Sequence, residues 1–163
     1  MNISLHSINR DNWQHALNLE IEPAQQAMIA PNVQSIAEAY VDPTLNPFLI
    51  YPAGCCDPVP KSDPVGFVVY EIADCGIGFL LRVMIGREYQ GRGFGRAAVI
   101  EVIRRLKLCP KVQQIATSRR PQNDVASHLF HSLGFVPWDT SHWTTKAEGE
   151  VFLTLETSSL DRS

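Results

Sequence analysis

Polar and apolar residues alternate from Ile3 to Ile8 in "ISLHSI", the two-residue period of a half-buried strand. The period then lengthens. Asp11 stands where a helix N-cap belongs, ahead of "NWQHALNLEI", in which Trp13, Ala16, Leu17 and Leu19 can share a face. Asn32 is placed to cap a second helix, "VQSIAEAYV", with Val33, Ile36, Ala37 and Tyr40 as its buried stripe. "FLIYP" and "VGFVVYEIA" read as strands, parted by a turn-forming segment that holds Cys55, Cys56, Pro58 and Pro60. "IGFLLRVMI" is apolar on both faces except at Arg82, as in the interior strand of a covered sheet. A helix follows from about Arg96 to Lys107. It presents Ala98, Val99, Val102, Ile103 and Leu106 to the core and Glu101, Arg104, Arg105 and Lys107 to water. "KVQQIATS" is a further strand, "NDVASHLFHSLGF" a helix capped by Asn123 and closed by Gly134, and "VFLTLET" a last strand. This order predicts an α/β or α+β mixed sheet with helices on both faces. It shows neither an internal repeat nor a second linker, so residues 1–163 read as a single domain.

Composition narrows the functions available. The 163 residues are 45% hydrophobic and 19% charged, which suits a folded domain with a real core. Fourteen Lys and Arg against 17 Asp and Glu give a net charge of -3, so the broad basic face needed for nucleic acid is not expected. The cysteines, 55, 56, 75 and 109, form no CxxC or Cys/His spacing, so a metal site is not expected and free thiols are. "MNISLHSINRDNW" lacks the pattern of a signal peptide, and no apolar run nears the ~20 residues of a membrane helix. The expectation is a soluble, cytoplasmic protein.

The chemistry is concentrated between Gly91 and Arg96. Three glycines at alternate positions, 91, 93 and 95, with Arg92 and Arg96, lie between a buried strand and a helix start. The first turn of a helix leaves amide hydrogens unpaired and carries partial positive charge. Glycines let a ligand approach that backbone, and arginines add fixed charge, so the loop reads as an anion cradle. No Lys-Ser or Lys-Thr follows the last glycine, which excludes a Walker A loop. The glycine spacing and the rank of the strand also exclude a dinucleotide fingerprint.

"QGRGFG", Gln90 to Gly95, resembles the Gln/Arg-x-x-Gly-x-Gly/Ala pyrophosphate motif of the GNAT superfamily of acyl-CoA-dependent N-acetyltransferases. The surroundings agree: a strand ending "RVMI", then "GREY", the loop and its helix, and later "NDVASHLFHSLGF". The resemblance implies a mostly antiparallel sheet of about six or seven strands that splays into a V-shaped cofactor slot. It implies acetyl-CoA as co-substrate. Gln90, Gly91, Arg92, Gly93, Phe94, Gly95 and Arg96 would hold the CoA pyrophosphate, and the backbone of Val83, Met84 and Ile85 the pantetheine arm, like an added strand. Asn123 would touch the cofactor, with a plain helix cap as its other reading, and Phe130 would pack near the thioester sulfur.

Acetyl transfer needs a neutral amine, a polarised thioester oxygen and a leaving thiolate that is stabilised or protonated. The Met84 backbone amide is the candidate for the oxygen. Many members of the superfamily carry a tyrosine as acid on the late helix, where this chain has Phe130, which has no proton to give. His131 is the nearby substitute, though successive helix residues point about 100° apart. Glu71, on "VVYEIA", is the candidate base, with a solvent-facing strand charge as its other reading. Arg82 should find an ion-pair partner, Glu38 or Asp42.

"AMIAPNVQSIAEAYVDP", Ala27 to Pro43, is similar to a segment of bacterial spermine/spermidine-type acetyltransferases. Glu38 and Asp42 could then draw a protonated amine into the slot. The acceptor expected is a polyamine or small diamine, with a protein N-terminus, an aminoglycoside or an amino-acid amine as alternatives. Other classes remain open: an acyl-CoA-binding module without catalysis, and a phosphate-binding domain unrelated to CoA. A homodimer is compatible with the resemblance, but periodicity alone points to no surface for it.

Overall fold

The computed structural model describes residues 2–52, 62–141 and 149–156. Seven strands form one sheet in the order β1-β2-β3-β4-β5-β7-β6. They are β1 (Ile3–Ser7), β2 (Leu45–Pro52), β3 (Gly66–Ile72), β4 (Ile77–Ile85), β5 (Gln114–Arg119), β6 (Val136–Pro137) and β7 (Val151–Glu156). Every neighbouring pair is antiparallel except β4 and β5, which are parallel. The helices are α1 (Trp13–Leu17), α2 (Asn32–Val41), α3 (Phe94–Leu108) and α4 (Asp124–Ser132). The mixed, mostly antiparallel sheet expected from the sequence is thus present. The turn segment with Cys55, Cys56, Pro58 and Pro60 lies outside the described residues.

Two apolar clusters divide the sheet's faces. One joins Phe94, Ala98, Val99, Val102 and Leu106 of α3 and Phe130 of α4 to Val68, Tyr70, Leu80 and Ile115 of the strands. The other joins Ala16 of α1, with Ile36 of α2 packed against it, to Leu49, Tyr51, Phe67 and Val69. Alternation along each strand supplies both faces. The α3 stripe is the expected one, extended by Phe94 at its start. Arg105 is less exposed than expected, its guanidinium lying 4.8 Å from the centre of the Phe48 ring. α4 is capped as read: Asn123 Oδ1 accepts from the Ala126 amide at 3.0 Å. It closes with Gly134 N bonded to His131 O and Phe135 N to Phe130 O, the paired bonds of a Schellman motif.

The first two helices depart from the sequence reading. α1 has only five residues, and the residue at its N-cap is Asn12, not Asp11. Asn9 Oδ1 instead accepts from the Asp11 and Asn12 amides, while Asn12 Oδ1 accepts from Asn9 N. In α2 the cap position belongs to Pro31, and Asn32 lies inside the helix. Asn32 is buried and its amide donates to the Ala16 carbonyl at 2.8 Å. Of the expected stripe only Ile36 packs against the core: Val33 is 57% exposed and Tyr40 91%, Ala37 is exposed, and Asn32 and Ser35 are buried instead. Polar partners set this orientation, because Ser35 and Glu38 face Arg82 of β4. Among the described residues no helix is long and apolar enough to cross a membrane.

Candidate active site

β4 and β5 pair only from Ile77↔Gln114 to Leu80↔Thr117. Beyond that point β4 keeps its partner β3 through Gly66↔Ile85, and β5 keeps β7 through Arg119↔Val151. The two strands therefore part, and among the described residues the edge of β4 from Leu81 to Ile85 has no neighbouring strand on its β5 side. A bulge starts the divergence. Val69 faces Arg82 and Tyr70 faces Leu80, so Leu81 is the extra residue. A bulge bends its strand and sharpens the local twist. The Thr117 hydroxyl fastens the fork by donating to the Leu80 carbonyl at 2.9 Å.

The fork is the floor of a cavity of about 970 Å³. It is walled by the β4 edge, the start of α3, the start of α4, and the segment from Ile21 to Ala30 between α1 and α2. Val83, Met84, Ile85, Gln90, Gly91, Gly93, Phe94, Gly95, Arg96, Asn123 and Phe130 all line it. Sequence reasoning named these residues from widely separated places, and the fold brings them to one slot. Arg92 is not part of the lining; its guanidinium lies over the Tyr89 ring, 5.9 Å from the centroid.

The glycine loop has the geometry of a cradle. Gly91 (φ 72) and Gly93 (φ 87) occupy the left-handed region that side-chain-bearing residues avoid. Gly93 is the N-cap of α3, and among the described residues no side chain caps that end. The first amides of a 15-residue helix are thus left without a capping side chain at the slot. A Cβ on Gly95 would meet nothing closer than Ile85 Cγ1 at 3.6 Å, an ordinary contact. Packing does not require glycine there, and its bare backbone leaves space in the slot. Gln90 secures the loop, its side-chain amide donating to Ile85 O at 2.9 Å and to Gln25 Oε1 at 2.8 Å. Arg96, Arg119 and Arg120 also line the slot. Arg119 Nε is buried with no hydrogen-bond acceptor among the described residues. An uncapped helix start, room at Gly95 and arginines fit a pyrophosphate, and the unpartnered strand edge fits an amide-bearing arm. This donor set can therefore accept CoA.

Glu71, His131, Glu38 and Asp42 do not line the slot. Glu71 pairs with Phe79 at the far end of β4, and its carboxylate accepts from the Thr44 hydroxyl at 3.5 Å. His131 is exposed on α4, and His128, also exposed, bonds through Nδ1 to Asp124 O. Phe130 is 6% exposed, its ring 5.4 Å from that of Phe135. Glu38 is the partner of Arg82 at 2.5 Å, and Arg82 Nη1 also donates to Ser35 at 3.0 Å. That guanidinium, and then the Gln34 amide, hold the Glu38 carboxyl below its usual range. Asp42 ends α2, where the Thr44 hydroxyl and amide both donate to it and lower its pKa. Neither acid lines the slot. Cys75 is exposed and Cys109 half-buried. Among the described residues no group of three or more His, Cys, Asp or Glu could hold a metal ion.

Among the polar lining residues that sequence reasoning missed are Ser118 and Glu150. Ser118 of β5 donates from its hydroxyl to Glu150 Oε2, in a short contact beside the fork. Glu150 lies just ahead of β7 in a polar stretch, and no local spacing marks it.

The acetyltransferase (GNAT) family model matches residues 13–135. The chain belongs to this family and is an N-acetyltransferase that uses acetyl-CoA. A comparison with curated proteins finds no match. Solved structures share the fold at low identity. AAC(6')-Ib in complex with ribostamycin and coenzyme A is 16% identical, with 100% of this chain and 98% of that one covered and a TM-score of 0.76. An acetyltransferase from Thermus thermophilus is 18% identical, covering 96% and 97%, with a TM-score of 0.68. Spermidine N-acetyltransferase from Vibrio cholerae, in complex with CoA and spermine, is 16% identical, covering 94% and 93%, with a TM-score of 0.68.

Proposed function

We propose that the chain transfers acetyl from acetyl-CoA directly to a primary amine of a small polycation, a polyamine or diamine. One observation carries the reading: the unpartnered edge of β4 runs directly into the uncapped, glycine-lined start of α3. Acetyl-CoA supplies the acyl group as a thioester. Val83, Met84 and Ile85 would receive the pantetheine arm as an added strand. The amides of Gly93 to Arg96 would hold the pyrophosphate, Arg119 Nε offers a further donor, and the Met84 amide is assigned to the thioester oxygen. The relatives solved with spermine and with ribostamycin, both multiply charged amines, support a polycationic acceptor.

The test is thiol release from acetyl-CoA against a panel of amines, with spermidine, spermine and small diamines first. Release with these supports the full reading. Release only with a protein N-terminus or another amine keeps the transfer and rejects the polycation. Phe130, buried and without a hydroxyl, favours a second reading, an acyl-CoA-binding module of weak or no catalysis. A silent panel, with acetyl-CoA still raising the melting temperature, would establish that one instead.

A further inference from the structure

Two carboxylates line the slot, Asp124 and Glu150, and they stand in different settings. Asp124 opens α4 beside Asn123, on the side of the cofactor loop. Glu150 is placed by the pairing of β5 with β7, in which Arg119 faces Val151 and Ser118 faces Phe152. Ile115 belongs to the cluster under α3 and α4, so alternation puts Ala116 and Ser118 on the opposite face, that of α1 and α2. The Ser118 hydroxyl ties Glu150 to this face through Oε2. Phe152, across from Ser118, has its ring 6.3 Å from that of Phe79. Arg82 reaches the same face, where Ser35 and Glu38 of α2 hold it.

The charges on this face are not balanced alike. Arg82 is matched by Glu38. Among the described residues no Lys, Arg or His pairs with Glu150. Ser118 is the partner of one carboxylate oxygen, and among the described residues no hydrogen bond reaches the other. A half-buried carboxylate in a cavity loses solvation that a cation would restore. The arginines 96, 119 and 120 make the cofactor side positive, so the slot is polarised to take an anion at one side and a cation at the other.

We propose that Glu150, held by Ser118, receives a cationic group of the acceptor and makes the enzyme prefer di- and polyamines to monoamines. The proposal rests on the reading of the slot as the site for CoA and an amine. Glu38 and Asp42, the acids suggested by the sequence, are committed to Arg82 and Thr44, whereas Glu150 is open to the cavity.

Glu150→Gln tests it, because the amide oxygen can still accept from Ser118 while the charge is lost. Spermidine binding to the CoA-loaded chain is measured by calorimetry, alongside acetylation of spermidine and of n-butylamine. The variant should bind spermidine about tenfold more weakly, the loss of one charge-assisted contact. Its preference for spermidine over n-butylamine, as a ratio of kcat/KM, should fall about as much, with CoA affinity within twofold of wild type. Ser118→Ala should weaken spermidine less, since it removes only the tether. Equal spermidine affinity in wild type and Glu150→Gln, or no binding to wild type, overturns the proposal. Spermidine that binds through Glu150 but is never acetylated leaves this site standing and refutes the transfer reading instead.

Discussion

Gly95→Ala separates what the fold needs from what the ligand needs. Gly95 is the second residue of α3, and a Cβ there would find its nearest neighbour at 3.6 Å. Alanine is favoured over glycine by up to ~1 kcal/mol inside a helix, and about 0.5 kcal/mol is a fair share for the first turn. The free variant should therefore melt about 1–2 °C higher than wild type, given about 2–4 °C per kcal/mol for a chain of this size. Its new methyl group, however, would occupy space beside amides assigned to a phosphate. Losing one charge-assisted hydrogen bond costs about 1.5–3 kcal/mol, so the dissociation constant of CoA should rise about ten- to a hundredfold. The two effects have opposite signs, which excludes general damage as the cause of weaker binding. Linkage amplifies the contrast: a ligand at 100 times its dissociation constant stabilises by about 2.7 kcal/mol, and a tenfold weaker one by about 1.4 kcal/mol. Thermal melting with and without CoA, together with calorimetry, reads both quantities. A stabilised variant with unchanged CoA affinity would refute the cradle. Gly93→Ala is the contrasting case: φ 87 costs a side-chain-bearing residue about 1–2 kcal/mol, so that variant should lose stability as well.

Other perturbations have equally defined outcomes. Phe130→Tyr adds a hydroxyl at the slot, and kcat should rise several-fold with CoA affinity little changed; an unaltered kcat would mean that thiolate protonation is not limiting or comes from elsewhere. Glu38→Gln leaves Arg82, 16% exposed, without its counter-charge, and chemical denaturation should show a loss of about 1–2 kcal/mol. The Glu101 carboxyl is held down to about 2, first by Arg104 and also by Arg105. A depressed carboxylate stabilises the fold fully above its unfolded value near 4.5 and ceases to do so as the pH falls towards 2. Exposure of Arg104 limits the contribution to about 1 kcal/mol. Wild type should accordingly lose about that much more stability than Glu101→Gln between pH 5 and pH 2.5, and parallel losses would refute the assignment.

What was legible in the sequence is what neighbours in the chain determine. The core stripe of α3, the Asn123 cap and the glycine loop at a helix start all depend on residues within a few positions of one another, so spacing alone reveals them. Even Arg82, a charge in an apolar strand, announced that it needed a partner, and Glu38 is that partner. The full inward face of α2 is not legible in its apolar stripe, because such a stripe carries no record of what lies opposite. Its inward face is chosen by Arg82 and by the Ala16 carbonyl, and this leaves Tyr40 in water. Glu71 lies away from the slot for another reason. Alternation sets a strand residue's face but not its distance from the fork, and the fork lies where β4 and β5 part, after Leu80 and Thr117. Glu150 could not be found locally at all, since it meets Ser118 across 32 residues through the pairing of β5 with β7. The glycine loop is therefore legible in the chain, because its residues are contiguous. Which carboxylate faces the slot is set by the fold, because sheet register, not spacing along the chain, brings Ser118 and Glu150 together.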